Sequence, residues 1–184
     1  MKKFILGFFA VAMFATFNFN ASAQTVMVGG EAMYPLKNIV ENAVNSKDHT
    51  TLVAAVKAAG LVDTLMTKGP FTVFAPVNDA FENLPDGTVA MVLKPENKPT
   101  LTKILTYHVV AGKVTAKDLM KQIKAGNGQA MLKTVSGGML TAKMNGPMNI
   151  VIMDEKGGVA NISTYDVMQS NGVIHVIDRV LMPN

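Results

Sequence analysis

The side chains that could carry out chemistry in this chain are few and scattered. The histidines are His49, His108 and His175, and their spacing does not match that of a metal site. Asp79 follows Asn78, and no second carboxylate neighbours it in sequence to form an acid–base pair. We therefore predict no metal, no other cofactor and no catalytic residue, and we expect that the protein is not an enzyme.

Two polar side chains lie within the last apolar run of the chain, Asn171 to Leu181. Turn residues open this run, and a segment rich in β-branched residues follows, which is typical of an interior strand covered on both faces. Alternation places His175 on one face and Asp178 on the other, so both are predicted to lie among apolar side chains. Unpaired, each would cost on the order of 1–3 kcal/mol. We expect both to be structural residues with hydrogen-bond partners.

Asn78 and Asp79 follow a predicted strand, Phe71 to Ala75, and the proline that ends it. Short polar side chains at such a point suit a turn in which they accept hydrogen bonds from backbone N–H groups and cap the next helix. A cap explains Asp79 without a catalytic role. We therefore predict that both residues are structural.

Composition narrows the possible partners. The chain contains no cysteine, which excludes disulfides, thiolate metal sites and lipid attachment at an N-terminal cysteine. Its formal charge of +4 falls to +2 if Lys2 and Lys3 are removed, and Arg179 is the only arginine. Arginine guanidinium groups, which bind phosphate through two hydrogen bonds, dominate phosphate recognition. With one arginine in the chain, nucleic acid is therefore a poor candidate partner.

The N-terminus has the pattern of a secretory signal peptide. Lys2 and Lys3 precede an apolar run from Phe4 to about Phe17, and small residues, Ala21 to Ala23, come before Gln24. The run is shorter than the ~20 residues that a spanning helix needs. We predict that residues 1–23 are cleaved, that the mature chain has no membrane span, and that it is periplasmic or extracellular. An uncleaved anchor is the alternative.

Helical patterns come first in the remaining chain and strand-sized runs follow. Residues 24–34 lack periodicity and are predicted to form a flexible lead-in to a single domain, residues 35–184. Asp48 and Thr100 are predicted to cap two of the helices, and a helix with Leu119, Met120 and Ile123 inward follows Thr115. This segregation favours an α+β fold in which helices pack against part of an antiparallel sheet.

Three segments together resemble a known family. The stretch Phe71 to Phe81, the pair Tyr107-His108 and the stretch Asn171 to Leu181 resemble, in this order, the signature segments of a fasciclin domain. The resemblance implies a compact wedge of two β-sheets with several short helices packed along one side. It also implies a secreted or surface module associated with adhesion. Val77 departs from the threonine usual in the family, which puts one local hydrogen bond in doubt.

The resemblance also points to binding residues. In the family, the dipeptide Tyr107-His108 and its apolar flanks are associated with receptor adhesion, which here makes Tyr107, His108, Val109 and Val110 candidates. The expected partner is a surface protein, a matrix component or a polysaccharide. Alternatively, because neighbouring side chains alternate between faces, one of the pair packs and the other meets a backbone carbonyl.

The high methionine content allows two further functional interpretations, a carrier of an apolar ligand and a copper site. Twelve of the 14 methionines follow residue 23. Flexible methionine and leucine side chains suit a carrier of a small apolar ligand held between sheets and helices, which is the alternative function. Met144 and Met148 could approach across a turn and bind Cu(I). Methionine is, however, a common gap-filler in β cores, so we predict no metal site.

Overall fold

The computed structural model describes residues 25–184, so the predicted signal peptide lies outside the described residues and its cleavage stays a prediction. The helices are α1 (Ile39–Ala43), α2 (Thr50–Ala59), α3 (Val62–Met66), α4 (Asn78–Glu82), α5 (Thr88–Val92), α6 (Lys98–Tyr107) and α7 (Ala116–Ala125). The strands are β1 (Val26–Val28), β2 (Glu31–Met33), β3 (Phe71–Pro76), β4 (Val109–Ala111), β5 (Gln129–Lys133), β6 (Met139–Asn145), β7 (Asn149–Met153), β8 (Val159–Gln169) and β9 (Gly172–Ile177). Short 3-10 helices occupy Lys47–His49 and Pro95–Asn97.

Seven of these strands form one sheet in the order β4-β3-β9-β8-β7-β6-β5, and β1 and β2 form a separate two-stranded sheet. The sequence predicts an antiparallel sheet. This is wrong for one pair of strands, because β3 and β9 run parallel. Register shifts interrupt the pairing of β8 with β9, and a bridge between Val110 and Thr134 connects the two ends of the large sheet. The sheet therefore nearly closes on itself. With this large sheet, the small sheet and several short helices, the predicted α+β, fasciclin-like fold class is confirmed.

The terminal strand is an interior strand, as the sequence predicts, because β9 lies between β3 and β8. Phe74 and Ile177 belong to a core cluster that also contains side chains of α7 and of β5 to β8. Val73 and Val176 belong to a second cluster, shared with α1, α2, α6 and the hairpin formed by β1 and β2. Strands β3 and β9 are therefore apolar on both faces because each face has its own core.

The segment predicted to be a flexible lead-in contains the hairpin of β1 and β2. Val28 and Met33 are buried in the second core cluster. Gly29 and Gly30 form the turn with φ angles of 61° and 76°, a backbone region that glycine adopts readily. Residues 26–33 thus form a β-hairpin that packs on the second core cluster. Each of its strands has three residues, too few for an alternating apolar pattern to be recognised in the sequence.

Two predicted helix starts differ from the structure. Asp48 lies inside a 3-10 helix, and His49 precedes α2 without a side-chain cap. Helix α6 begins at Lys98 rather than after Thr100, with Pro99 in its first turn, where a missing N–H costs little. The left-handed Gly60, with a φ angle of 71°, ends α2 where the sequence predicts.

Helix α7 follows its predicted boundaries closely. Thr115 and Asp118 form a reciprocal capping box at its start. Leu119 and Ile123 are buried in the core, as predicted, but Met120 is 37% exposed, so its predicted inward orientation is wrong. The apolar stripe that anchors this helix is therefore narrower than the sequence indicates.

Candidate functional site

Tyr107, at the end of α6, is fully buried. Its hydroxyl donates to the carbonyl of Met139 at 2.8 Å and accepts from the N–H of Glu155 at 3.0 Å. Burial raises the pKa of Tyr107 to about 12, so the phenol stays protonated. The side chain therefore joins α6 to β6 and to the turn after β7.

His108 is also buried, with 3% of its surface exposed. Its Nδ1 lies 2.8 Å from the carbonyl of Ile104, and its Nε2 accepts from the N–H of Leu181 at 2.9 Å. These partners require the tautomer with the proton on Nδ1, since one is an acceptor and the other a donor. Burial lowers the pKa of His108 to about 4, so the ring is neutral at physiological pH.

The two valines of the segment are buried on opposite sides of the sheet. Val109 belongs to the second core cluster, shared with α1, α2 and α6, and Val110 belongs to the first, which also contains Tyr107. The carbonyl of Val109 accepts from the N–H of Val135 at 2.7 Å, and the side chain of Val135 is 50% exposed. The four candidate binding residues are thus interior, and their role in binding stays a prediction.

His175 lies in β9 and is fully buried. Its Nε2 lies 2.9 Å from the carbonyl of Val114, and its Nδ1 accepts from the N–H of Asp166 at 3.3 Å. The ring stacks on Phe74 with centroids 5.6 Å apart. Burial lowers the pKa of His175, so a neutral, fully hydrogen-bonded imidazole holds β9 to the loop before α7.

Asp178 lies one residue beyond the end of β9 and is exposed, so the expectation that it sits among apolar side chains is wrong. Its carboxylate accepts from the backbone N–H of Asn161 at 2.8 Å and from the side-chain amide of Asn161 at 2.7 Å. The alternation of side chains between the two faces of the strand does not extend to Asp178, because the strand ends at Ile177.

Asn78 acts on a helix other than its own. Its side-chain oxygen accepts from the N–H of Thr51 at 3.0 Å, and its amide nitrogen donates to the carbonyl of Lys47 at 2.8 Å. It therefore caps α2 from α4. The prediction that Asn78 and Asp79 cap the helix that follows them is wrong, because both lie inside α4, which is preceded by Val77 and has no side-chain cap. Asp79 lies in the first turn of α4, where a negative charge is favourable.

A cavity of about 90 Å³, partly open to solvent, lies between the large sheet and the helices α1, α2 and α3. Its lining is almost entirely apolar and includes His108, Val109 and Val135. Two of the four predicted binding residues therefore border a space that a small molecule could occupy. This arrangement was not evident from the sequence, because the lining comes from segments far apart in the chain.

His49 also lines this cavity, although no pattern in the sequence indicates a functional role for it. It is 4% exposed, and its Nδ1 lies 2.9 Å from the hydroxyl of Ser46. Its Nε2 has no hydrogen-bond partner. Burial lowers the pKa of His49, which favours the neutral ring. A histidine just before an apolar helix was the only sequence signal for this position.

Within residues 25–184, no three histidine, aspartate or glutamate side chains converge as ligands for a metal ion. The methionine pair considered for Cu(I) is divided between environments: Met144 packs against the core, and Met148 is 73% exposed. The structure therefore does not support the hypothesis that Met144 and Met148 bind Cu(I).

The family model of the fasciclin domain matches residues 47–183, which is well over half of the chain. The chain belongs to the fasciclin family. The three sequence segments that carry the resemblance lie close together in the fold, since β3 pairs with both β4 and β9. The family's signature therefore marks the end of α6 and the three strands β4, β3 and β9 at one end of the sheet order.

Related proteins include two chains from bacteria. Protein sll1483 of Synechocystis is 44% identical over 185 residues, covering 100% of this chain and 92% of the relative. Immunogenic protein MPT70 of Mycobacterium tuberculosis is 35% identical over 146 residues, covering 77% of this chain and 66% of the relative. These two relatives each match most of the fasciclin-like chain.

A solved structure, the FAS1 domain pair of the insect cell adhesion molecule fasciclin I, matches with a TM-score of 0.69 and 21% identity. The match covers 79% of this chain and 51% of that one, so this chain spans about half of the insect domain pair. This likeness shows the fold. Among residues 25–184, none of the helices has the length and apolar character that a membrane crossing requires.

Proposed function

We propose that this fasciclin domain is a non-catalytic binding and adhesion module, exported from the cell, that contacts a surface protein, a matrix component or a polysaccharide. The observation that carries the proposal is the fasciclin match across residues 47–183. The insect protein with the same fold is a cell adhesion molecule, which supports an adhesive role.

The contact surface that fits this role is the exposed loop after β5. Because Tyr107 and His108 are buried, they act by holding neighbouring backbone in place. The N–H of Val135 donates to Val109, and the N–H of Ser136 donates to the carbonyl of Thr106 at 3.3 Å. Residues 106–109 thus position Val135, a half-exposed apolar side chain that a partner could contact.

Attachment measurements with two matched variants test this surface. Val135 and Met91 are 50% and 52% exposed, so a glutamate at either position is expected to change stability little. We expect Val135→Glu to weaken attachment of the purified mature domain to cells or immobilised matrix several-fold, and Met91→Glu to leave it unchanged. Equal attachment of both variants and wild type would exclude this loop as the contact surface.

A buried tyrosine in the same segment provides a second test. Tyr107→Phe removes the hydroxyl that joins Met139 and Glu155. If the segment acts through positioning, the variant should lose stability and attachment together. Unchanged stability with reduced attachment would instead indicate direct contact by the tyrosine.

A second candidate function is transport of a small apolar ligand, and the cavity of about 90 Å³ favours it. The lining comes from both the sheet and the helices, the position that a carrier requires. Solvent extraction of the purified protein followed by mass spectrometry tests this role. We expect a stoichiometric apolar molecule in the extract, and an extract without one would count against the carrier function.

A further inference from the structure

Three methionines are neighbours on the outer face of the large sheet, where β5, β6 and β7 point away from the first core cluster. The inward positions of these strands belong to that cluster, so Met131 on β5, Met139 on β6 and Met153 on β7 are outward. Thr141 of β6 pairs with Met131 on one side and with Met153 on the other. Met139 lies two residues before Thr141 on the same face. The three methionines, here called the methionine trio, therefore surround Thr141.

The sulfur of Met131 already lies over the middle strand. The hydroxyl of Thr141 donates to Sδ of Met131 at 3.3 Å, which places this sulfur above β6. Met131 is 55% exposed, and Met139 and Met153 are half-buried, so solvent reaches all three. Cross-strand neighbours have Cβ atoms about 5 Å apart and diagonal neighbours about 7–8 Å apart, which long side chains span. Because methionine has three rotatable bonds, the other two sulfurs can turn toward that of Met131.

We propose that the methionine trio binds one Cu(I) ion through its three thioether sulfurs. Thioether sulfur is a soft ligand and is among the groups that select Cu(I). The site is distinct from Met144 and Met148 and does not depend on the adhesive or the carrier role. No sequence spacing indicates it, because the three residues come from three strands and become neighbours only through the register of the sheet.

The surroundings of the methionine trio disfavour other metal ions. The outward positions of β5, β6 and β7 hold no carboxylate and no histidine. Hard cations such as Ca²⁺ and Mg²⁺ need oxygen ligands, and zinc sites use thiolate, imidazole or carboxylate. Lys133 pairs with Met139, and Lys143 lies two residues beyond Thr141 on the same face. Their positive charges repel a divalent ion more strongly than a monovalent one, so the site fits a soft monovalent ion.

Contact with an apolar partner is the competing use of this face. Val159 pairs with Met153 and is 43% exposed, so the apolar row continues onto β8. Methionine is common on surfaces that bind apolar partners. Leucine distinguishes the two uses, because it has nearly the volume of methionine and lacks the sulfur. A leucine variant therefore keeps an apolar contact and loses a copper ligand.

Titration with Cu(I) tests the proposal on residues 24–184, under nitrogen with ascorbate to keep the copper reduced and a chromogenic Cu(I) chelator as competitor. We expect one Cu(I) per chain. Changes to residues that only support a metal ligand already cost about 10–100-fold in affinity, so Met131→Leu, Met139→Leu and Met153→Leu should each weaken binding at least about tenfold. Met148→Leu, at a 73% exposed position outside the trio, should bind as the wild type does.

Methyl signals of methionine locate the ion in the wild-type protein. Ag(I), a soft monovalent ion without redox chemistry under these conditions, is added to protein labelled with ¹³C at the methionine methyl groups. We expect the three signals of the methionine trio to shift together and to stop shifting at one equivalent. Shifts that instead follow exposure, largest at Met27 and Met148, would show unspecific binding and overturn the site.

The remaining outcomes are equally decisive. A shift at only two methionines of the trio would overturn the three-sulfur site. Wild-type affinity in all three leucine variants would overturn it as well. No shift and no competition with the chelator would also overturn the proposal, and would leave this face as an apolar contact surface. Each of these results leaves the adhesive role untouched, since attachment is measured without added metal.

Discussion

The Nε2 atom of His108 accepts a hydrogen bond from the backbone N–H of Leu181 at 2.9 Å, across 73 residues of sequence. The same C-terminal segment is held by Asp154, whose carboxylate accepts from the N–H of Met182 at 3.0 Å. The side chain of Leu181 is fully buried. His108 and Asp154 therefore hold the C-terminal residues Leu181 and Met182 by hydrogen bonds to their backbone.

Replacing His108 should destabilise the fold in proportion to the hydrogen bonds lost. His108→Leu leaves the buried N–H of Leu181 without an acceptor, and we expect a loss of about 1–3 kcal/mol in the free energy of unfolding. His108→Gln can still place an oxygen near the position of Nε2 and should cost less. Urea unfolding of both variants measures the difference, and equal losses would show that the Leu181 contact contributes little.

Stability should decrease in mild acid. The pKa of His108 is about 4 in the folded protein and 6.5 in a model compound, so between these pH values the unfolded chain binds more protons. Stability is therefore full above about pH 6.5 and falls as the pH approaches 4, by on the order of 3 kcal/mol for this residue. Burial lowers the pKa of His49 and His175 in the same direction. Urea midpoints at pH 7, 6, 5 and 4.5 test this, with His108→Gln as the variant of shallower dependence.

Adjacent residues of one turn should differ sharply in their effect on stability. Asn78→Ala removes the cap of α2 and its bond to Lys47, and we expect a loss of about 1–2 kcal/mol. Asp79→Ala should change stability by less than about 0.5 kcal/mol, since it removes only a favourable charge at the start of α4. Thermal or urea unfolding compares them, and similar losses would contradict the assignment of the cap to Asn78.

The terminal strand should be essential for folding. Ile177 is fully buried, and Ile177→Ala should cost about 2–5 kcal/mol. Val159→Ala is the control, because Val159 is 43% exposed on the neighbouring strand, and it should cost less than about 0.5 kcal/mol. Deletion of residues 171–184 should give an insoluble protein, because β3 and β8 would lose their shared partner. A soluble, cooperatively folding truncation would contradict this prediction.

Export should remove the first 23 residues. Cleavage after Ala23 leaves Gln24 at the N-terminus and a chain without lipid, since the sequence has no cysteine. N-terminal sequencing or intact mass measurement of the exported protein checks the site. Retention of Met1 would show that the N-terminal segment is not a cleaved signal peptide.

The sequence by itself determined the family, the α+β class and most helix and strand positions. Strong local signals were enough where a segment follows one periodic pattern, as in α7 with its Thr115 cap or in the doubly apolar β9. It also identified His175 as a core residue, because an imidazole in an apolar strand requires partners.

Only the tertiary structure decided which atoms those partners are. Asn78 caps a helix that precedes it by 27 residues, and His108 holds a residue 73 positions later. The cavity likewise depends on how the helices lie over the sheet. Local patterns cannot encode such pairs, because contacts between distant segments form only when the whole sheet and both cores assemble.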